Sequence, residues 1–538
     1  MGLGLAHAEL PPELARQLAD AAIPAEAVGL VVAPVGAGPR LVEHGADRPL
    51  QPASTMKLVT TLVGLEQLGP AHRGRTRLLA GGPVRDGVLR GPLVLQGDGD
   101  ADLTPQVLGE LLRRARERGL REVRGDLLLD RSAFTPTRFD LGVPPFDESP
   151  EAEYNVIPDA LLVGGNLLRV DLFVDDRGLQ LRPQLPLAGL RLSHQMTLVQ
   201  GDCSTWDDGW QIPEVRPAGR LRQMEVVLRG SWPAGCDRTV AFNVIDRNDF
   251  VGRLVRGQWA ALGGTWRGSV REAVAPVDAQ LLAEHQSRPL SELVRAINKP
   301  SDNALTRLLF LQIGRAAAGT AGEPTLRRAD RAVRAWFRQR GIDDAGLVLD
   351  NGSGLSRSER ISAAQLEAVV RAGLSGRWAP EFMASLPIAG IDGSLRRRLT
   401  ASPATGWARM KTGTLRNVVA LAGIVPDGGG VPRIVVVLLN HDNARSRVAR
   451  PIADAFVDWV SRTRFGDAVT ALAPAVPDPR LACATLAAAG NATPAATPPA
   501  PSPPGTSPTA AGGAAAVAVA ESGPAAARGC GDAQTTRR

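Results

Sequence analysis

Apolar residues recur along much of the chain at the spacing of an amphipathic helix. The pattern is strongest between Ser54 and Leu68, and it stops before Gly69 and Pro70, so we predict a helix there. Ser54 would lie in or near its first turn, next to Lys57 on the same helix face. The same spacing predicts further helices at 11–22, 104–118, 289–298, 302–315, 324–340, 362–374 and 449–462.

Other apolar stretches are short and continuous, which is typical of buried β-strands. Two of them near the N-terminus predict a hairpin, and three that follow one another later in the chain predict an antiparallel sheet. The predicted strands cover 27–34, 40–44, 408–414, 418–425 and 433–440.

The pattern changes in the middle of the chain, from about residue 76 to 275. Short apolar runs alternate there with Gly, Asp and Pro turns, which predicts a β-rich insert of one or two subdomains (76–275) with a single helix at 104–118. The insert would interrupt one domain built from residues 9–75 and 276–470. Residues 471–538 are rich in Ala, Pro, Gly, Ser and Thr and have no periodicity. Such a composition cannot bury a core, and we expect disorder.

The first eight residues end in Ala6-His7-Ala8, which is typical of a signal-peptide cleavage site. They lack a charged start and a full apolar core, so we interpret 1–8 as the remnant of a signal peptide that is truncated or mis-assigned. The protein is therefore expected to be exported and periplasmic. No apolar run reaches the roughly 18 residues that a membrane-spanning helix needs, and none is expected.

Charge and cysteine content add little specificity. The formal net charge is +7 and the pI about 9.9, but Asp and Glu separate the arginines and no aromatic residues accompany them, so nucleic-acid binding is not expected. Cys203 and Cys236 lie in one segment and could form a disulfide in an exported protein, although two free thiols are the alternative. Cys483 and Cys530 lie in or beside the tail, and no cysteine spacing fits a zinc site.

One acidic run resembles a calcium loop. Asp98, Asp100 and Asp102 alternate along the chain, but Leu103 occupies the sixth position, where an EF-hand has Gly. We therefore expect a turn at this place, and we predict neither a metal nor a cofactor.

Lysine is rare, although the chain carries 62 Lys plus Arg residues. Only three positions are Lys, and all others are Arg. A lysine can lose its proton and act as a base, which an arginine almost never does, so these three positions are candidates for chemistry. Each lies in a short motif: Ser54-x-x-Lys57, Lys299-Pro300-Ser301-Asp302-Asn303 and Lys411-Thr412-Gly413.

Ser54 needs a base before its hydroxyl can act as a nucleophile. None of the six histidines lies in a motif of a Ser-His-Asp site, and no G-x-S-x-G sequence surrounds a serine. The expected base is Lys57, one helical turn along. Burial and a neighbouring positive charge such as Lys411 would lower its pKa. A plain helix cap at Ser54 is the structural alternative.

The three motifs occur together, in this order, in class A β-lactamases and penicillin-binding proteins. From about residue 25 to 465 the chain resembles the D-alanyl-D-alanine carboxypeptidase/endopeptidases of the low-molecular-weight class C penicillin-binding proteins, peptidase family S13. The long gap between Ser54 and Ser301 is similar to the extra domains of that family. Four further segments carry the resemblance: Gly97-Asp-Gly-Asp-Ala-Asp-Leu103, Gly125-Asp-Leu-Leu-Leu-Asp-Arg-Ser-Ala-Phe134, Asp350-Asn-Gly-Ser-Gly-Leu-Ser-Arg357 and Leu386-Pro-Ile-Ala-Gly-Ile-Asp-Gly-Ser-Leu395.

The resemblance implies an α+β fold of the penicillin-binding/serine β-lactamase-like transpeptidase type. It also implies a serine peptidase that acts on D-Ala-D-Ala ends or cross-links of peptidoglycan stem peptides and is inhibited by β-lactams. The implied catalytic residues are Ser54 as nucleophile, Lys57 as base and Ser301 as proton relay. The implied substrate-binding residues are Asn303, Lys411, Thr412, Gly413 and Thr414, with the backbone N–H groups of Ser54 and Thr414 as the oxyanion hole.

Four residues near the motifs have weaker assignments. We derive no role for Lys299 and expect it at the surface or behind the site. Asp302 is expected to be structural. Asp350 and Ser353 are expected to shape a loop near the site.

Two other functions stay open at this point. A serine β-lactamase would share the chemistry, but no glutamate between 304 and 410 is followed by Asn four residues later, as class A deacylation requires, and Tyr154-Asn155-Val156 does not fit the Y-x-N of class C. A non-catalytic cell-wall-binding protein of the same fold is the other alternative, although such a protein has no need of Lys57.

Overall fold

The structure is a computed structural model that describes residues 10–219 and 223–466. The predicted signal-peptide remnant at 1–8 and the predicted disordered tail at 471–538 lie outside the described residues, as do Cys483 and Cys530. Within the described residues, no helix is long and apolar enough to cross a membrane.

Ten α-helices are present in the described part of the chain. They are α1 (Pro12–Asp20), α2 (Lys57–Leu68), α3 (Pro105–Glu117), α4 (Arg247–Ala261), α5 (Leu290–Asn298), α6 (Asn303–Ala316), α7 (Thr325–Gln339), α8 (Ala363–Ser375), α9 (Ala379–Ser385) and α10 (Ser446–Arg462).

Twenty strands accompany the helices in these residues. They are β1 (Val28–Pro34), β2 (Val42–His44), β3 (Arg75–Ala80), β4 (Val84–Arg85), β5 (Val88–Leu89), β6 (Leu93–Gly97), β7 (Glu122–Val123), β8 (Leu127–Asp130), β9 (Leu168–Asp175), β10 (Gly178–Pro183), β11 (Leu190–Val199), β12 (Trp210–Pro217), β13 (Met224–Pro233), β14 (Arg238–Phe242), β15 (Thr265–Trp266), β16 (Val270–Glu272), β17 (Gln280–Gln286), β18 (Arg409–Leu415), β19 (Val418–Pro426) and β20 (Pro432–Asn440).

An antiparallel sheet of five strands, in the order β18-β19-β20-β1-β2, joins the two ends of the described chain. Its three inner strands, β19, β20 and β1, are almost entirely apolar because both of their faces are covered. Val31 and Val436 point to one face, where α2 and α5 to α9 pack. Val32 and Val435 point to the other face, where α1 and α10 pack. The alternation of side chains along each strand thus supplies two cores from one run of sequence.

Four further sheets of three to five strands lie between β2 and α5 in the chain. Their strand orders are β16-β8-β6-β3-β17, β15-β7-β5-β4, β10-β9-β14 and β11-β13-β12. Together with α3 and α4 they enclose a separate hydrophobic core, centred on side chains such as Trp232, Phe250 and Trp259. This arrangement supports the predicted β-rich insert, although the division into domains stays a prediction. The pairing of β17 with β3 carries these sheets to Gln286, beyond the expected boundary.

Most predicted elements are present within one to three residues of their expected ends. Three differences from the predicted elements are present. The α-helix expected from Ser54 begins at Lys57, and residues 53–56 form a 3-10 turn. Helix α4 was not predicted, because the Gly and Arg residues in its sequence resemble the turns around it. Its signals were the cap at Asp246, which accepts from the N–H groups of Asn248 and Asp249, and the helical spacing of its buried residues. The short helix α9 was also missed.

Cys203 and Cys236 are joined by a disulfide in the insert, with their Cα atoms 4.9 Å apart. Cys236 is fully buried in the core of these sheets, beside Trp232, whose indole N–H donates to the Cys236 carbonyl at 2.9 Å. The bond therefore closes a loop of 33 residues onto an existing core.

We expect the double variant Cys203→Ser/Cys236→Ala to unfold with a free energy lower by about 3 kcal/mol, because the unfolded chain regains the entropy of the open loop. Urea unfolding of the purified protein measures this. Reductant should lower the stability of the wild-type protein and leave the double variant unchanged. Equal stability of the two oxidised proteins would show that the bond does not hold the insert together.

Candidate active site

Ser54 lies in the 3-10 turn Ala53–Met56, which leads directly into α2. Two features define the turn. The Thr55 hydroxyl donates to the Pro52 carbonyl at 2.7 Å, and Ala53 adopts a left-handed φ of 45°. Ser54 itself is half-buried, whereas Lys57 is fully buried at the first position of α2. The tight turn places the serine hydroxyl above the side chain of the lysine.

The ammonium of Lys57 has three hydrogen-bond acceptors from three separate parts of the chain. They are Ser54 Oγ at 3.0 Å, Asn303 Oδ1 at 2.7 Å and the Ser353 carbonyl at 2.5 Å. A lysine has three N–H donors, so every donor is used. The spacing of Ser54 and Lys57 on one helix turn predicted the first of these contacts.

Burial lowers the pKa of Lys57 from 10.5 to about 7. The carboxylates of Glu359 and Asp302 oppose this by favouring the charged form, and the Arg307 guanidinium adds to it. The positive neighbour that lowers this pKa is thus Arg307, where the sequence had suggested Lys411. Burial lowers the pKa of Lys411 well below its usual range, and the charge of Lys57 lowers it further.

The Ser301-Asp302-Asn303 motif forms the turn that begins α6. Asp302 is the cap of that helix, since its carboxylate accepts from the N–H of Leu305 at 2.8 Å, as expected for a structural residue. Ser301 adopts a left-handed φ of 68°, and its hydroxyl accepts from Lys411 Nζ at 2.8 Å. The turn therefore aims the side chains on either side of Asp302 into the site.

The Lys411-Thr412-Gly413 motif lies on β18, the edge strand of the central sheet. Lys411 is fully buried and donates to Ser301 Oγ and to the Thr412 carbonyl. A Cβ at Gly413 would lie 2.7 Å from the Pro52 carbonyl oxygen and 3.0 Å from the Cβ of Ala53. Glycine is therefore required for the strand to lie directly against the turn that carries Ser54.

The third lysine supports this strand from behind. Lys299 Nζ donates to both carboxylate oxygens of Asp392 at 2.8 and 2.5 Å, and Asp392 also accepts from the N–H of Ile388. The loop fixed in this way brings Ser394 Oγ to 2.7 Å from Thr412 Oγ1. Lys299 thus lies behind the site, and the sequence reasoning had not identified its partner Asp392 or the hydroxyl of Ser394.

The far end of the motif strand meets an arginine. Arg450 of α10 reaches Thr414 Oγ1 at 3.4 Å, at the border of hydrogen-bond distance. Burial and the neighbouring Arg398 lower the pKa of Arg450. Thr414 is half-buried and lies next to Gly413, so a positive group borders the open end of the site.

A loop at 350–354 closes the site below Lys57. The expectation that Asp350 and Ser353 shape a loop near the site agrees with this position. Sequence reasoning missed the residue that organises the loop, Glu359, which is fully buried and accepts from backbone N–H groups of the loop. No motif pointed to it, because its partners are main-chain groups.

The insert also reaches the site. The amide of Asn303 donates to the Tyr154 carbonyl at 3.0 Å, and Arg307 donates to the Val156 carbonyl at 3.2 Å. A cavity of about 950 Å³ begins at Ser301 and Asn303 and extends to Thr104 and other residues of the insert. Ser301 and Asn303 therefore border a space large enough for a peptide.

The structure brings together Ser54, Lys57, Ser301, Asn303, Lys411, Thr412 and Gly413, with Thr414 at the edge, while Cys203 and Cys236 lie in the insert. A serine hydroxyl 3.0 Å from an amine whose pKa is about 7 is suited to nucleophilic attack on a carbonyl. Among residues 10–219 and 223–466, no group of three or more His, Cys, Asp or Glu side chains could hold a metal ion.

Comparison with known proteins identifies a matching family and similar proteins. The sequence model of the family described as "D-Ala-D-Ala carboxypeptidase 3 (S13)" matches residues 10–463. A D-alanyl-D-alanine carboxypeptidase from an Actinomadura species is 31% identical over 453 residues, which are 80% of this chain and 81% of that protein.

Two crystal structures of penicillin binding protein 4 from Haemophilus influenzae have the same fold. The first is 24% identical at a TM-score of 0.66 and covers 80% of this chain and 93% of its own. The second, a complex with a β-lactam, is 21% identical at a TM-score of 0.66 and covers 84% of this chain and 100% of its own. The predicted α+β fold of the penicillin-binding type is thus confirmed.

We expect Gly354→Ala to destabilise the protein and to displace Ser54. The glycine has a φ of +80°, and a Cβ there would lie 1.8 Å from the Ala53 carbonyl oxygen. Gly406→Ala is the matched control, because Gly406 has a φ of +78° and no neighbour within 4 Å. Urea unfolding should show a loss at Gly354 that exceeds the loss at Gly406 by about 2 kcal/mol or more, since only the first adds a clash with backbone to the strain. Equal losses would contradict the close packing of the two loops.

Proposed function

The chain belongs to the D-Ala-D-Ala carboxypeptidase 3 (S13) family, and on this premise we propose that it cleaves peptidoglycan stem peptides at D-Ala-D-Ala through an acyl-enzyme on Ser54. The observation that carries the proposal is the contact of Ser54 Oγ with Lys57 Nζ at 3.0 Å, in which the lysine is fully buried and has a pKa of about 7. A purely structural serine would need no such partner.

In the acylation step, Ser54 Oγ attacks the carbonyl carbon of the penultimate D-Ala. The proton of the hydroxyl passes to neutral Lys57 Nζ, the oxygen lone pair forms the new C–O bond, and the electrons of the carbonyl double bond move to its oxygen. The N–H groups of Ser54 and Thr414 are assigned to that oxyanion. The lack of a side chain at Gly413, against Pro52 and Ala53, supports this assignment because it lets the strand approach the turn.

The tetrahedral intermediate then loses the terminal D-Ala. The C–N bond breaks as its electrons pass to nitrogen, and the nitrogen takes a proton from the Ser301 hydroxyl. The proton that Lys57 took from Ser54 then replaces the one that Ser301 gave up, so Lys57 returns to its neutral form. The contact between Ser301 Oγ and Lys411 Nζ at 2.8 Å supports this relay. Water attacks the remaining ester to release the shortened peptide and free Ser54.

The terminal carboxylate of the substrate is assigned to Lys411 and Thr412. Burial holds the pKa of Lys411 well below its usual range in the free protein, but a carboxylate next to it favours the charged form. The ion pair would therefore form when the substrate enters. The hydroxyl of Thr412, held by Ser394, supplies a directional contact beside it.

The same site serves a carboxypeptidase or an endopeptidase, since the substrates of the two differ only in the group on the far side of the scissile bond. We propose both stem-peptide ends and D-Ala–meso-diaminopimelate cross-links as substrates, in the periplasm where peptidoglycan lies. β-Lactams would acylate Ser54 because their strained amide takes the place of the D-Ala-D-Ala bond.

We expect a fluorescent penicillin to label the wild-type protein on Ser54 and to leave Ser54→Ala unlabelled, because alanine has no oxygen to acylate. Mass spectrometry of the labelled peptide identifies the residue. Ser356→Ala is the control. Ser356 is a buried serine that follows the 350–354 loop, and its hydroxyl forms a hydrogen bond with that of Ser358. This variant should be labelled like the wild type.

Three outcomes separate the candidate functions. A stable adduct together with release of D-Ala from stem peptides supports the peptidase. Rapid hydrolysis of penicillin without a stable adduct would make the protein a β-lactamase. Neither adduct nor hydrolysis would make it a wall-binding protein without catalysis.

We also expect the acylation rate to fall as the pH drops below about 7. The base is the neutral amine, whose fraction decreases tenfold for each pH unit below the pKa of Lys57, which is about 7. Stopped-flow or quenched labelling between pH 5 and 9 measures this. Lys57→Arg should lose roughly 100-fold or more at every pH, because a guanidinium stays protonated. A wild-type rate that is flat across this range would exclude Lys57 as the base.

A further inference from the structure

The loop at 350–354 is wrapped around one carboxylate. Glu359 Oε1 accepts from the N–H groups of Asp350 at 3.2 Å, Asn351 at 3.1 Å and Gly352 at 2.7 Å. Its Oε2 accepts from the N–H of Gly354 at 2.8 Å. Four of the five backbone N–H groups of the loop thus converge on a single side chain. The fifth, that of Ser353, donates to Asn351 Oδ1 at 3.1 Å.

The carboxylate of Glu359 is fully buried, and the contacts of its oxygens are with N–H donors. Such a cradle holds the ionised form, which accepts and does not donate. Burial raises the pKa of Glu359, and the N–H groups of the loop oppose that rise. The charged groups that act on it come from three directions: Asp350 from its own loop, Arg307 from α6 and Lys57 from α2.

The cradle determines where one carbonyl group points. With its neighbours on both sides bound to Glu359, the Ser353 carbonyl is held 2.5 Å from Lys57 Nζ. Glycine at 354 lets the loop pass within contact distance of the Ala53 carbonyl. The loop around Ser353 therefore fixes the Ser353 carbonyl as one hydrogen-bond acceptor of Lys57 Nζ, while Ser54 Oγ is another.

That acceptor matters for the neutral lysine. A neutral amine has two N–H donors and one lone pair. If Asn303 Oδ1 and the Ser353 carbonyl take the two donors, the lone pair is left for the third direction, where Ser54 Oγ lies at 3.0 Å. Both acceptors lack a proton to give, so neither competes for the lone pair. A displaced Ser353 carbonyl would let the amine turn away from Ser54.

We propose that Glu359 is a positioning residue for the base of the reaction: its carboxylate fixes the Ser353 carbonyl, and through it directs the lone pair of Lys57 at Ser54. This role rests on the proposed function, since it has meaning only if Lys57 activates Ser54. The carboxylate also adds negative charge near the amine, and that charge favours the protonated form of Lys57. It therefore tunes the pH at which the base becomes available.

The variant Glu359→Gln separates these effects from general damage to the fold. Its amide oxygen can accept from the loop, but its NH₂ group faces the N–H of Gly354, so one bond of the cradle is lost. The charge near Lys57 is lost as well, which lowers the pKa of the base. We expect penicillin acylation of Ser54 to be roughly tenfold slower at pH 8. The acid limb of the pH–rate profile is the range in which the acylation rate falls as the pH decreases. We also expect the midpoint of this acid limb to shift to lower pH by about 0.5 unit or more.

Two further variants complete the test. Glu359→Asp keeps the charge but withdraws it by one methylene, so acylation should be slower while the acid limb stays near that of the wild type. Glu367→Gln is the matched control, because Glu367 is a buried carboxylate of α8 that pairs with Arg371 and Arg40 instead of the loop. Glu367→Gln should lower the thermal stability of the protein and change neither the acylation rate nor the midpoint of the acid limb.

The outcomes are distinct. A slower rate and a lower acid limb in Glu359→Gln, with neither in Glu367→Gln, supports the proposal. A slower rate with an unmoved acid limb would mean that the Glu359 carboxylate does not act on the amine of Lys57, and a wild-type rate and acid limb would mean that it has no part in catalysis; both overturn the proposal. If Glu359→Gln does not fold, a wild-type rate in Glu359→Asp overturns it. If the wild-type protein itself is not acylated on Ser54, the proposed function fails first.

Discussion

The site depends on one buried ammonium. Lys57 is removed from water at the start of α2, and burial is the largest cause of its lowered pKa. A buried charge persists only where acceptors replace the lost water, and here they come from the nucleophile turn, from the start of α6 and from the 350–354 loop. Asn303 and Ser353 lie 246 and 296 residues from Lys57 in sequence, so the lysine forms these two contacts only when the start of α6 and the 350–354 loop have packed against α2.

The central sheet explains how the second lysine reaches the same place. Strand β18 is an edge strand, and one of its faces lies against the turn of Ser54 because Gly413 leaves room for the Pro52 carbonyl. Lys411 is thereby brought close enough for the charge of Lys57 to lower its pKa. The charge of Lys57 thus adds to burial in favouring the neutral form of Lys411, whereas burial and Arg307 favour the neutral form of Lys57 itself.

Much of the site could be predicted from sequence because its reactive groups are side chains that lie in short motifs. Ser54, Lys57, Ser301, Asn303 and Lys411 stand in short motifs whose spacing reflects a helix turn, a helix cap and a strand. The amphipathic helices and the buried strands of the central sheet were predictable for the same reason, since their periodicity is local.

The parts that could not be predicted are held by main-chain groups or by distant partners. Glu359 accepts from backbone N–H groups, and because every residue type except proline has such a group, the sequence does not identify its partners. Glu359 also lies in a loop, where hydrophobic periodicity predicts nothing. Asp392 was hidden because its partner, Lys299, lies 93 residues away. Helix α4 was hidden by context, because its own cap and spacing were regular but the surrounding segment read as turns and strands.

The insert is part of the site and not an appendage to it. The amide of Asn303 has two ends: its Oδ1 accepts from Lys57, and its Nδ2 donates to the Tyr154 carbonyl of the insert. A reversed amide would place an NH₂ group against the ammonium and a carbonyl against a carbonyl, so the contact with the insert fixes the orientation that Lys57 requires. Arg307 holds the same segment through the Val156 carbonyl. A segment about 150 residues upstream of the motif thus determines which atom of Asn303 faces the base.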